Sequence, residues 1–136
     1  MVDRELVLRK AAALEGYLRE LEELRNLDTH TRTDWKTERA VERSLHLAIE
    51  VALDLADHVI ADRALRVPTT QAETFEILQE AGLVDPTLGQ ALVQMARFRN
   101  LLVHDYARID PDRVRAILRD RLTDLDAFRR CVLSLI

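Results

Sequence analysis

WKTERAVERSLHLAIEVALDLADHVIAD, residues Trp35 to Asp62, decides the fold. Val41, Leu45, Ala48, Ala52, Leu55 and Val59 recur at alternating steps of four and three, which lines one face of an α-helix. Ile49, Leu53, Ala56 and Ile60 form a second stripe beside the first. No glycine or proline interrupts the run, and Asp34 just before it carries the short acceptor side chain of an N-cap. A helix apolar over two adjacent stripes needs more than one neighbour, so the expected setting is a helical bundle.

The flanking sequence supplies those neighbours. Upstream, Val7, Ala11, Leu14, Leu18 and Leu21 make one seam on a helix from about Asp3 to Arg25, followed by a polar link from Asn26 to Thr33. Downstream of Pro68, Thr70-Gln71-Ala72-Glu73 has the form of a capping box opening a short helix that Gly82 closes. Asp85-Pro86 is a cap followed by a first-turn proline, leading a helix with Leu88, Leu92, Met95, Phe98 and Leu102 on one side. Asp110-Pro111 repeats the device for a final helix carrying Val114, Leu118, Leu122, Leu125, Phe128, Val132 and Leu135. The expected fold is all-α: an antiparallel up-and-down bundle of four long helices and one short one, a single domain over residues 1–136.

Composition agrees and narrows the function classes. The 136 residues are 48 % hydrophobic with only 3 Gly and 3 Pro, suited to one core and few turns. No apolar run is long enough to span a membrane and no signal-like stretch opens the chain, so the expected location is cytoplasmic, with no membrane partner. A formal net charge of −4 excludes a globally basic nucleic-acid surface, so any phosphate must be met by a local cluster. Only Lys10 and Lys36 are lysines among the 20 basic residues; the rest are arginines, suited to planar contacts with phosphate or carboxylate. Cys131 is alone and reads as a small core residue. Trp35 and Phe75 read as packing residues rather than as a base-stacking platform.

The chemistry concentrates in RFRNLLVHDY, Arg97 to Tyr106. Continuing the seam of Leu88, Leu92 and Met95 lands on Arg99, Leu102 and Tyr106, which puts a guanidinium at the edge of an apolar stripe, where it needs a partner. Arg25-Asn26 precedes His30 by the same interval, but Arg32 stands two places beyond that histidine and the setting is polar. The plain structural reading of Arg99 and His104 is a helix C-terminus decorated with cations that suit its dipole. Residues five apart on a helix also differ by roughly 140° in direction. Arg99 and His104 therefore converge only if the helix breaks, the arginine wraps, or two copies meet. A homodimer would account for this divergence and for the second stripe of Trp35–Asp62 together.

Glu42, His46, Glu50, Asp54 and His58 stand at steps of four and resemble a metal row. Each step drifts by roughly 40°, so the ends face different ways, and no Glu-x-x-His pair appears on a second helix as di-iron bundles require. No metal and no cofactor is expected. Glu50 and Asp54 are instead candidates for carboxylates that orient Arg99 and His104.

At Arg99, Asn100, His104 and Tyr106 the chain resembles the HEPN superfamily, in its HepT-like branch of ribonuclease toxins. The likeness extends through Arg39-Ala-Val-Glu-Arg, Ala48 to His58 and Phe75-Glu-Ile-Leu. The resemblance implies a homodimer whose Arg99 and His104 pairs line one cleft, with Asn100 in support. It further implies a metal-independent endoribonuclease of a type VII-like toxin–antitoxin system, acting on RNA through attack by the 2′-hydroxyl. The two histidines would move the protons and Arg99 would stabilise the phosphoryl charge. It also implies a minimal nucleotidyltransferase antitoxin that transfers AMP onto Tyr106. The alternative is a non-catalytic module of the same fold that binds nucleotide or docks the nucleotidyltransferase.

Overall fold

The computed structural model describes residues 3–30 and 34–136, excepting the side chains of 27–30 and of Tyr106. Among the described residues six α-helices follow in order: α1 (Arg4–His30), α2 (Trp35–Asp62), α3 (Gln71–Glu80), α4 (Pro86–His104), α5 (Pro111–Asp120) and α6 (Leu122–Ser134), with a 3₁₀ turn at Tyr106–Arg108 between α4 and α5. They form the up-and-down bundle, with α2 at its centre packed against all five other helices.

Local chemistry sets most boundaries. The side chains of Asp34, Thr70, Asp85 and Asp110 each accept a backbone N–H of the helix they open, satisfying donors that a helix start leaves without partners. Glu73 bonds the N–H of Thr69 at 3.1 Å, one residue before the position a reciprocal capping box predicts. Its carboxylate also pairs with Arg66, which reaches Glu80 at 2.9 Å and so ties the link after α2 to α3.

Helices α2 and α3 end in the same way. Leu65 N donates to Ile60 O, and Leu83 N to Leu78 O, both at 3.0 Å, the 6→1 bond of a Schellman cap. That cap needs a left-handed residue, which is Gly82 at φ 74° after α3 but Ala64 at φ 53° after α2. Glycine occupies this region freely, whereas alanine is strained there. Gly82→Ala should therefore lose, and Ala64→Gly gain, about 1 kcal/mol. Urea titration would read these as midpoints displaced in opposite directions at constant slope. Displacements of the same sign would reject the cap.

Four sequence expectations are corrected. Helix α1 runs five residues past Arg25, to His30, because Asn26 to His30 contains no Gly or Pro to stop it. Residues Thr31, Arg32 and Thr33 lie outside the described residues. The final helix is two: Arg121, at φ −116° and ψ −3°, separates α5 from α6. The break lets Val114, Ile117 and Leu118 face the core as well as Leu122, Leu125, Phe128 and Val132, all buried. The second stripe of α2 is covered within one chain, with Ile49, Leu53, Ala56 and Ile60 at most 5 % exposed. It needs no second copy, since the surrounding helices already cover it. Phe75 meets Phe128 edge-on in the core at 5.4 Å, but Trp35 is 68 % exposed, with Lys36 Nζ 5.8 Å from its ring. Among the described residues no helix is long and apolar enough to cross a membrane.

Candidate active site

Helix α4 carries the arginine into the bundle on its buried stripe. Leu92, Met95, Phe98 and Leu102 fix the helix by packing, and Arg113 of α5 lies 5.5 Å over the Phe98 ring, holding the following helix against it. Arg99 then falls at the edge of the stripe, its side chain 13 % exposed.

Three groups hold its guanidinium. Arg99 Nη1 donates to Gln71 Oε1 at 3.2 Å and weakly to Asn100 Oδ1 at 3.5 Å, and Nη2 lies 3.6 Å from Glu50 Oε1. Its Nε is buried and donates to nothing among the described residues. A buried donor left without an acceptor costs free energy, so it calls for an explanation beyond packing.

The Glu50 carboxylate is shared. Its other oxygen, Oε2, lies 3.0 Å from Nε2 of His46, at an angle too bent for a full hydrogen bond, so the attraction is chiefly electrostatic. Arg43 Nη1 approaches the opposite ring nitrogen, Nδ1, at 3.4 Å. Burial holds the His46 imidazole below its ordinary pKa, Arg99 and Arg43 push the same way, and Glu50 opposes them. His46 also lines an open groove with Arg39, Glu42, Arg43 and Leu102. Glu42 in that groove is raised above the usual carboxylate range by burial, against the nearby charge of Arg39.

His104 is the last residue of α4 and is exposed, where a cation suits the helix dipole. Asp105 caps the helix by donating its N–H to Leu101 O at 3.0 Å. Among the described residues no hydrogen bond or ion pair joins His104 to Arg99, as their divergence along the helix predicts. Tyr106 opens the 3₁₀ turn, and its side chain lies outside the described residues.

A family model described as Ribonuclease HepT-like matches residues 14–132, a span that holds all of these groups. The chain belongs to the HepT-like ribonuclease family. Among HepT-like relatives, the mRNA nuclease HepT of Shewanella oneidensis is 23 % identical, the match covering 91 % of this chain and 93 % of that one. The tRNA nuclease HepT of Aphanizomenon flos-aquae is 30 % identical over 72 % of this chain and 67 % of its own. In fold, the chain matches a solved tri-AMPylated Shewanella oneidensis HEPN toxin in complex with MNT antitoxin. That TM-score is 0.89, at 22 % identity over 98 % of this chain and 99 % of that one.

Within the HepT-like fold the remaining candidates separate. Glu50 and Asn100 stand at Arg99, but Asp54 does not: its carboxylate pairs with Lys10 of α1 at 3.3 Å, because four residues of helix turn it toward α1. Of the rest of the apparent metal row, Glu42 lies beside Arg39 at 3.5 Å. Among the described residues no three His, Cys, Asp or Glu side chains gather as metal ligands. Arg25 lines a groove between α1 and α6, and the side chain of His30 lies outside the described residues. Gln71 and the pairing of His46 with Glu50 were not foreseen. Gln71 is 28 residues from Arg99 in sequence, a contact no local pattern encodes, whereas His46 stands one helical turn before Glu50 and was open to reading as its partner.

Proposed function

We propose that this HepT-like chain is the toxin of a type VII-like toxin–antitoxin pair, a homodimeric, metal-independent endoribonuclease. Arg99 carries the reading. It is a guanidinium held by Glu50, Gln71 and Asn100 with its buried Nε left without an acceptor among the described residues, five residues before an exposed histidine. Folding alone gives no reason to keep a charge in that state, whereas a phosphodiester substrate does.

In the shared cleft of a dimer, one His104 removes the proton of an RNA 2′-hydroxyl and its counterpart protonates the leaving 5′-oxygen. The attack forms a bond from the 2′-oxygen to phosphorus and breaks the bond to the 5′-oxygen, leaving a 2′,3′-cyclic phosphate. Arg99 offsets the charge that grows on the non-bridging oxygens. Purified chain should cleave RNA in excess EDTA and leave ends that resist 3′-ligation until the cyclic phosphate is opened and the resulting phosphate removed to expose the 3′-hydroxyl. RNA intact after incubation with folded protein would reject this reading in favour of a non-catalytic partner module.

The dimer is needed because Arg99 and His104 diverge within one chain. Light scattering at micromolar concentration should give twice the 15.7 kDa chain mass, and a monomer that cleaves RNA would remove the shared cleft.

The partner is a minimal nucleotidyltransferase antitoxin that transfers AMP to the Tyr106 hydroxyl. An AMP phosphate two residues from His104 competes with RNA for Arg99 and repels the incoming strand. Support comes from the motif position of Tyr106 and from the AMPylated relative of the same fold. Intact-mass analysis after co-expression should show added AMP that peptide mapping locates at Tyr106. An inhibited but unmodified chain would mean the antitoxin works by occlusion.

A further inference from the structure

Glu50 is a part-exposed member of the cluster around Arg99. Its side chain is 44 % exposed, and an exposed glutamate sweeps several rotamers unless something fixes it. One group does. His46, on the same face of α2 one turn earlier and 18 % exposed, sets Nε2 3.0 Å from Glu50 Oε2, a close but bent approach short of a full hydrogen bond, which leaves Oε1 toward Arg99. The imidazole is itself oriented, because Arg43 Nη1 stands 3.4 Å from Nδ1. A guanidinium only donates, so Nδ1 must accept and the proton must sit on Nε2, facing the carboxylate.

We infer that His46, as the neutral Nε2–H tautomer fixed by Arg43, is a positioning residue that aims Arg99 by pinning the Glu50 carboxylate. The contacts run Arg43, His46, Glu50, Arg99, from an exposed cation in the groove to the part-buried one at the reacting phosphate. Arg39, Glu42 and Leu102 complete the walls of the groove. An imidazole suits the task because it has few rotamers and two opposed ring nitrogens, so it transmits direction where a longer side chain would bend.

The kinetic part of the test rests on the ribonuclease reading above; the spectroscopic part does not. His46→Leu keeps apolar volume but removes the donor, and should lower kcat roughly tenfold with KM little changed. His46→Gln, whose amide N–H can meet Glu50, should recover most of that loss. Adding His46→Leu to Glu50→Ala should cost nothing beyond Glu50→Ala alone, since the histidine acts through the carboxylate. Full kcat in His46→Leu, or additive losses in the double variant, would overturn the inference and leave the ribonuclease reading standing. Should the wild-type chain fail to cleave RNA, nitrogen NMR still decides. The Nε2–H tautomer at His46 and a displaced Arg99 Nε–H resonance in His46→Leu are expected, and the opposite tautomer or an unmoved resonance would overturn it.

Discussion

Arg99→Ala and His104→Ala should each abolish most RNA cleavage while leaving the bundle folded. Removing a donor that stabilises transition-state charge costs roughly a hundred- to a thousandfold in kcat, and loss of a general acid or base costs roughly a hundred- to ten-thousandfold. The His104 loss should fall on kcat rather than KM, because its protons move only as the bond breaks, whereas the Arg99 loss should fall chiefly on kcat with some rise in KM, because the guanidinium also meets the phosphate of bound RNA. Neither variant opens a core cavity: His104 is exposed, and Arg99 stands at the rim with an Nε that has no acceptor among the described residues. Far-ultraviolet circular dichroism should therefore match the parent. Arg25→Ala and His30→Ala repeat the same spacing on α1 and should keep the parental rate. Equal loss from that pair would sink the assignment of Arg99 and His104.

Phe128→Ala should produce the largest loss of stability of any single change considered. The ring is fully buried and meets Phe75 edge-on at 5.4 Å and 88°, so truncation removes its transfer free energy, leaves a cavity and breaks an aromatic pair. Such substitutions cost about 3–5 kcal/mol, with roughly 0.5–1.5 kcal/mol attributable to the ring pair. Urea unfolding at fixed protein concentration gives the total, and a double-mutant cycle with Phe75→Ala isolates the pair. Trp35→Ala is the control: an equally aromatic position, 68 % exposed, it should change stability by less than about 0.5 kcal/mol. A mild Phe128→Ala would mean that the α3–α6 contact adds little to the core.

The contrast between those two aromatics marks what the sequence made legible. Stripe periodicity identified the buried seams of α1, α2 and α4, and Asp34, Thr70, Asp85 and Asp110 identified four helix starts, because amphipathicity and capping act within a turn or two of chain. Trp35 carries no such signal, since exposure is settled by neighbours distant in sequence. The joint at Arg121 is equally silent: no Gly or Pro announces it, and the stripe from Val114 to Val132 continues across it. The second stripe of α2 was visible, but whether a neighbouring helix or a second chain covers it depends on how many helices surround α2. At the site, Arg99, Asn100 and His104 were found by the density of their chemistry and by likeness to a family motif. Glu50 followed from helical spacing, and Asp54 shows its limit: one further turn moved the carboxylate to Lys10.

The anchoring of Arg99 has a bearing on when a newly made chain acquires its chemistry. The guanidinium on α4 takes its orientation from Glu50 on α2 and Gln71 on α3, so none of these helices alone presents an aimed cation. A chain still leaving the ribosome, or one half unfolded, holds every residue of the motif and no site. Catalytic competence is gained at the docking of three helices rather than at the completion of translation. Under the ribonuclease reading proposed above, activity would be metered by the folded population, and a partner that captured the chain during folding would intercept it before it could act.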